Sequence, residues 1–208
     1  MIIRSKGVID INNDTPLIDD CFLIDTNVLL WLTYNRLSLL ESKYQEYQID
    51  SYPIFLEKAI EVGSQLKYSR LSFGEISHVI ERCEHEIYCM NNSSTINMKS
   101  YRRNFPTERN GVITAIKDSF IIIKGVSTGI VEELDDTMLT LLEDDLHNSL
   151  LDGNDSFLAS FAKRNDINKI ISDDADFATI EDVYLFTSNK KVLSEARRQN
   201  KYINRLYT

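Results

Sequence analysis

Residues 22–29 read FLIDTNVL: three apolar residues, then Asp25-Thr26-Asn27, then apolar residues again. The run CFLI (21–24) is short, apolar and ends at a polar break, which predicts a buried strand handing over to a helix. A carboxylate at that junction is either a helix cap or a ligand group at a strand end. The choice depends on whether other acids stand in matching places.

Outward from this junction, the stretch 28–48 is helix-rich, and Pro53 predicts the first turn of a helix through PIFLEKAIEVGSQL. KYSRL (67–71) is the candidate second strand. From Phe73 the apolar positions 73, 76, 79, 80, 83, 87 and 90 keep helical spacing, so FGEISHVIERCEHEIYCM reads as an amphipathic helix. NNSSTINMKSYRRNFP (91–106) is polar and reads as a long loop, with a helix from about Thr107. Either FIIIKGV or GIVEEL then supplies a strand. LDDTMLTLLEDDL is helical with a solvated acidic face, and DSFLASFAKRN (155–165) is a helix facing inward through Leu158, Phe161 and Ala162. KIIS (169–172) and VYLFT (183–187) are short buried strands. Strands alternating with helices imply a mostly parallel sheet covered on both faces, a three-layer α/β sandwich.

With 208 residues and 43% hydrophobic content, the chain amounts to one domain with a substantial core. VLLWL (28–32) and FIII (120–123) are far shorter than the ~20 residues of a membrane span. MIIRSKGVIDINND lacks the apolar core of a secretory signal. A soluble cytoplasmic protein with no membrane contact is expected. The three cysteines form no CxxC unit and the three histidines no HExxH pair, so any metal ligands should be oxygens. The net charge is −9, but residues 188–208 hold six Lys or Arg against Glu195, a balance of +5 that leaves −14 for residues 1–187. An acidic body with a basic end suggests an anionic partner there. Its bland alternative is a solvated terminal helix.

Asp25 ends one strand, and Asp173, Asp174 and Asp176 follow another, so a parallel sheet brings them to one carboxyl-terminal edge, where ligand clefts form. Glu75 opens the helix after the second strand and Asp155 opens the helix before KIIS, on the same rim. Each has a structural reading: Asp25 as a cap, Glu75 as the acid of an S-x-x-E capping box from Ser72, Asp152 and Asp155 as turn and cap, SDDAD as turn chemistry. Together they point elsewhere. Two carboxylates ~5 Å apart repel by roughly 3 kcal/mol at an effective dielectric of ~20, so a cluster of four calls for a cation. An all-oxygen donor set suits Mg²⁺ or Mn²⁺.

In chain order, LIDTNVLL, SFGEISHVI, GNDSFLASFAK and IISDDADF resemble the PIN-domain nucleases, across residues 21–187. The resemblance implies an αβα fold on a five-stranded parallel sheet and metal-dependent cleavage of single-stranded RNA. It makes Asp25, Glu75, Asp155 and Asp174 the catalytic, metal-binding acids, adds Asp176 as a further ligand, and gives Asn27 and Ser172 supporting roles. It divides the chain into an N-terminal extension (1–20) and one nuclease domain (21–208). It also raises an antitoxin-like protein partner and a homodimer. Lys190, Lys191, Arg197, Arg198 and Lys201 would meet the RNA backbone. The chain departs from the family in its length, with extended stretches at 31–66 and 91–130, which bears on a toxin role more than on nuclease chemistry. Asp173 stands where the family often has a basic residue, leaving open which of Asp173 and Asp174 faces the metal. Two other classes compete. A haloacid-dehalogenase-like phosphatase needs a second acid where this chain has Asn27. A non-catalytic module on the same scaffold has no use for four mutually repelling acids.

Overall fold

A computed structural model of the protein describes residues 1–40 and 44–205. Residues 41–43, within the helix-rich stretch 28–48, and 206–208, the end of the basic segment, lie outside the described residues. The strands are β1 (Gly7–Asp10), β2 (Cys21–Ile24), β3 (Gln65–Tyr68), β4 (Thr128–Gly129), β5 (Lys169–Ile171), β6 (Tyr184–Thr187) and β7 (Tyr202–Ile203). They form one sheet in the order β4-β3-β2-β5-β6-β1-β7, and every neighbouring pair is parallel. The helices are α1 (Thr26–Thr33), α2 (Glu46–Val62), α3 (Ser72–Asn91), α4 (Met98–Asn104), α5 (Pro106–Val126), α6 (Asp136–Asn148), α7 (Gly153–Arg164) and α8 (Lys190–Arg198), with short 3-10 turns at Asn35–Leu40 and Ala175–Thr179.

Successive strand residues point to opposite faces, so each strand feeds two cores. Ile9, Phe22, Ile24, Ile171 and Phe186 pack with α1, α2, α3 and α5. Val8, Leu23, Ile170 and Leu185 pack on the other face with α6, α7 and α8. This is the expected α/β sandwich. Runs such as CFLI lack a polar face because water reaches neither side.

Among the described residues the sheet has seven strands rather than five. The additions are β1 and β7, and β1 comes from the segment read as an extension. Residues 7–10 pair with both β6 and β7, so this part of segment 1–20 is inside the sheet. The physical reason for the miss is length: GVID and YI are too short for periodicity to speak. Gly7 makes the pairing possible, since a Cβ there would fall 2.1 Å from Ile203 Cδ1.

Three further expectations change. Helix α2 begins at Glu46 through a reciprocal Gln45–Gln48 cap, which leaves Pro53 in its interior. Proline removes one helical N–H there, and contacts outside the helix hold the turns before it. The polar stretch 91–106 contains α4, capped by Asn97, whose side chain accepts from Ser100 N at 2.9 Å. FIIIKGV completes α5, and the strand after it is only Thr128–Gly129.

The chain leaves β2 toward β3 on one side and finds β5 on the other, so the strand order reverses at β2. In open parallel sheets the crevice forms at the carboxyl end of that reversal. No described helix is long and apolar enough to cross a membrane.

Candidate active site

Asp25 leaves β2 at this crevice. Its backbone N–H donates to Ile171 O at 3.0 Å and its carbonyl accepts from Leu29 N at 3.1 Å, fixing it between sheet and helix. It occupies the N-cap position of α1, yet its side chain makes no capping hydrogen bond. Its Oδ2 instead accepts from Ser172 Oγ at 2.7 Å. Burial pushes the Asp25 carboxyl up to about 7; Ser172 opposes the rise, and Glu75 and Asp174 add to it. The capping reading of Asp25 therefore gives way to a buried carboxylate under electrostatic load.

Ser172 serves two acids at once. Its hydroxyl donates to Asp25 and accepts from Asp174 N at 2.9 Å. Asp174 is exposed and caps the following turn, accepting from Asp176 N at 2.8 Å. Asp176 is itself raised by burial and then by Asp174 and Asp152. Its neighbour Asp173 turns the other way. Asp173 Oδ1 accepts from Tyr52 Oη at 2.7 Å, and Oδ2 accepts from Tyr47 Oη at 2.9 Å and Gln48 Nε2 at 2.7 Å. Three donors on α2 occupy Asp173, so of the adjacent pair it is Asp174 whose charge bears on Asp25.

On α7, Asp152 is the cap, accepting from Asn154 N and Asp155 N at 2.9 and 3.0 Å. That leaves Asp155 outside the capping role. Burial raises Asp155 to about 8, helped by Asp25, Asp152, Asp174 and Glu75. The capping box proposed for Glu75 does not form either: Ser72 Oγ shares a 2.9 Å hydrogen bond with Thr26 Oγ1, and α3 has no side-chain cap. Glu75 and Asp155 line a cleft of about 570 Å³ together with Thr26, Ser72, His78 and Asn154. Leu71, Leu134 and Phe157 give it an apolar lip. Asn27, expected to support Asp25, is exposed; its backbone N–H helps hold the Asp25 carboxyl down, while the side-chain hydrogen bond comes from Ser172.

Asp25, Glu75, Asp155 and Asp174 are thus one electrostatically coupled set, with Asp176 attached through Asp174. Among the described residues, no three acidic, histidine or cysteine side chains are placed as a ready metal cage.

The basic residues of the C-terminal segment divide. Lys190 and Lys191 are exposed in the first turn of α8, which Asn189 ties to the acid turn by donating Nδ2–H to Asp173 O at 2.8 Å. Arg197 lies 3.9 Å from Asp10 and stacks 4.4 Å over Tyr202. Arg198 pairs with Glu195, and Lys201 donates to Ser5 O at 2.9 Å. Arg205 pairs with Asp14 and Asp20. Helix α8 and β7 carry these groups along the β1 edge, where most also serve internal contacts.

Thr26 and Tyr52 were not legible as site residues. Thr26 sits one residue after Asp25, but its partner Ser72 is 46 positions away, and nothing local in α2 signals that Tyr52 reaches the turn at 173.

Fold and site together define an α/β protein with an acidic cleft at the carboxyl edge of a parallel sheet. No family model and no curated protein matches the chain. Among solved structures it is similar to the crystal structure of FitAcB from Neisseria gonorrhoeae, with a TM-score of 0.41 and 16% identity, covering 80% of this chain and 97% of that chain.

Proposed function

We propose that the protein is a metal-dependent endoribonuclease of PIN type that hydrolyses single-stranded RNA at this cleft. The observation that carries the reading is the buried Asp25, fixed by Ser172 and electrostatically loaded by Glu75 and Asp174. A carboxylate kept in that environment needs a positive counterpart. The proposed donors are all carboxylate oxygens, with His78 also in the cleft lining, and such a set fits Mg²⁺ or Mn²⁺.

Asp25, Glu75, Asp155 and Asp174 would hold the ion, with Asp176 as a further ligand. A divalent ion there supplies Lewis-acid stabilisation of phosphoryl oxygens and an acidified water. The chain's own groups do the rest. Ser172 fixes the direction of the Asp25 lone pairs and holds the Asp174 backbone. The shared hydrogen bond of Thr26 and Ser72 pins α1 to α3, which sets the spacing of Asp25 and Glu75. The apolar lip of Leu71, Leu134 and Phe157 offers bases a surface free of competing hydrogen bonds.

The test is cleavage of an unstructured RNA with Mn²⁺, with EDTA, and by Asp25→Asn. The expected result is metal-dependent cleavage by the parent alone. A protein that neither cleaves nor gains thermal stability with Mn²⁺ is a non-catalytic scaffold, and phosphate transferred covalently to Asp25 would mark a phosphatase. An antitoxin-like partner and a homodimer belong to the same proposal, and the molar mass in solution, alone and after co-purification from the native host, reads both.

A further inference from the structure

If the cleft takes single-stranded RNA, an acidic body must offer the strand a favourable path to it. The end of the C-terminal segment is poorly placed, because β7 stands five strands from β3, or about 24 Å at ~4.8 Å per strand, which leaves only Lys190 and Lys191 beside the acid turn. The other basic stretch lies in the insertion. Residues 91–117 hold Lys99, Arg102, Arg103, Arg109 and Lys117 against Glu108, a balance of +4 inside a chain of −9.

The structure joins this stretch to the cleft through α3. Glu75 and His78 line the cleft on the exposed side of that helix. Arg82, seven residues past Glu75 and nearly in line with it, is exposed and makes no hydrogen bond or ion pair among the described residues. Glu81, on the adjoining side of α3, accepts from both Arg102 and Arg109, anchoring α4 and α5 beside this stripe. Arg102 remains 47% exposed and Arg109 35%. Lys99, Arg102 and Arg103 share one face of α4 by their i, i+3, i+4 spacing, and Tyr101 is buried on the opposite face.

Aromatic rings pack where α3 meets α4. Tyr88 and Phe105 are 5.1 Å apart and only half-buried, and both contact the buried Tyr101 at 5.3 and 6.2 Å. Exposed cations beside partly exposed rings are what single-stranded nucleic acid uses, phosphates on the cations and bases on the rings. Along α3 the step from Glu75 to Tyr88 is about 20 Å at 1.5 Å per residue, so one extended strand of a few nucleotides could reach from the rings to the cleft.

We propose that the joined outer faces of α3, α4 and α5 form a platform for single-stranded RNA, with Arg82, Lys99, Arg102 and Arg103 on its phosphates and Tyr88 and Phe105 under its bases. This rests on the RNA-cleaving reading of the cleft, but it is tested by binding.

The experiment uses the full chain carrying Asp25→Asn, so that nothing is cut, and titrates labelled oligouridylates of 3 and 12 nucleotides from 50 to 300 mM salt. Arg82→Ala, Lys99→Ala and Arg103→Ala are combined, since none of the three has an internal ion pair among the described residues. Each phosphate contact on a single strand contributes about −0.7 to the log–log salt slope. The triple variant should therefore lose about 2 units of slope on the 12-mer and leave the 3-mer unchanged. Tyr88→Leu, which keeps apolar packing, should cost about tenfold on the 12-mer with the slope intact. Platform binding without any cleavage by the parent would retire the nuclease reading and leave this one standing. An unchanged slope, loss of slope on neutralising Lys190 and Lys191 or Arg197, Arg198 and Lys201 instead, or no RNA binding at all, each overturns the platform.

Discussion

Asp25→Asn removes a charge while keeping the shape and the acceptor that Ser172 uses. Asp25 is 3% exposed, and its carboxyl rises from 3.8 to about 7, by burial first and then by Glu75 and Asp174 against the pull of Ser172. The folded protein holds that proton more tightly than the unfolded chain does. Its contribution to stability is therefore complete below pH 3.8 and is lost as pH rises through about 7. The gap between 3.8 and about 7, at ~1.4 kcal/mol per pH unit, comes to about 4 kcal/mol by pH 8. Asparagine escapes that loss but buries an amide donor, at a cost of about 1 kcal/mol. The variant should be more stable than the parent by about 3 kcal/mol at pH 8 in EDTA. At ~2–4 °C per kcal/mol this is roughly 6–12 °C in Tm. At pH 5 the parent has lost about 1.7 kcal/mol, so the difference should fall to about 1 kcal/mol or less. Thermal unfolding followed by circular dichroism at the two pH values measures both numbers. Adding Mn²⁺ should raise the parent's Tm and leave the variant's nearly unmoved, since only an ion that binds the folded state stabilises it. Parallel pH dependence of parent and variant between pH 5 and 8 would refute an uncompensated carboxylate at this position. Undiminished RNA cleavage by the variant would refute its role.

Three other perturbations follow from the same geometry. Glu75→Gln should leave stability within ~0.5 kcal/mol, because no capping box is lost. It should nevertheless abolish most RNA cleavage and weaken the Mn²⁺-induced rise in Tm; full activity would return Glu75 to a structural role. Tyr52→Phe deletes the hydroxyl that donates to Asp173 and accepts from Ser188 N at 2.9 Å. Urea denaturation should show a loss of about 1–3 kcal/mol for the polar groups left unpaired. Gly7→Val places a side chain where Ile203 Cδ1 stands 2.1 Å from the Cβ position. It should cost about 1–3 kcal/mol by overpacking, with amide exchange accelerating first at residues 202–205.

How much of this was legible in advance differs by element. CFLI, KIIS and VYLFT were readable because strands buried on both faces are apolar at every position, and the α3 stripe because seven apolar positions kept one helical face. The acids were legible as a set because each follows a strand or opens a helix, and a parallel sheet brings all such positions to one edge. What the chain order could not reveal was the set of neighbours each acid meets in space. Ser72 and Glu75 have capping-box spacing, but Thr26, 46 residues earlier, takes the hydroxyl. Asp173 and Asp174 are indistinguishable as adjacent letters; three donors from α2 occupy the first, and it is the second whose charge loads Asp25. The basic segment likewise reads as one charge run, yet its partners Asp10, Asp14 and Asp20 are some 185 or more residues upstream. Local pattern determines which backbone a segment adopts, because periodicity and capping act over a few residues. Which charge is free and which is paired depends on contacts between distant segments, and only the packed sheet decides those.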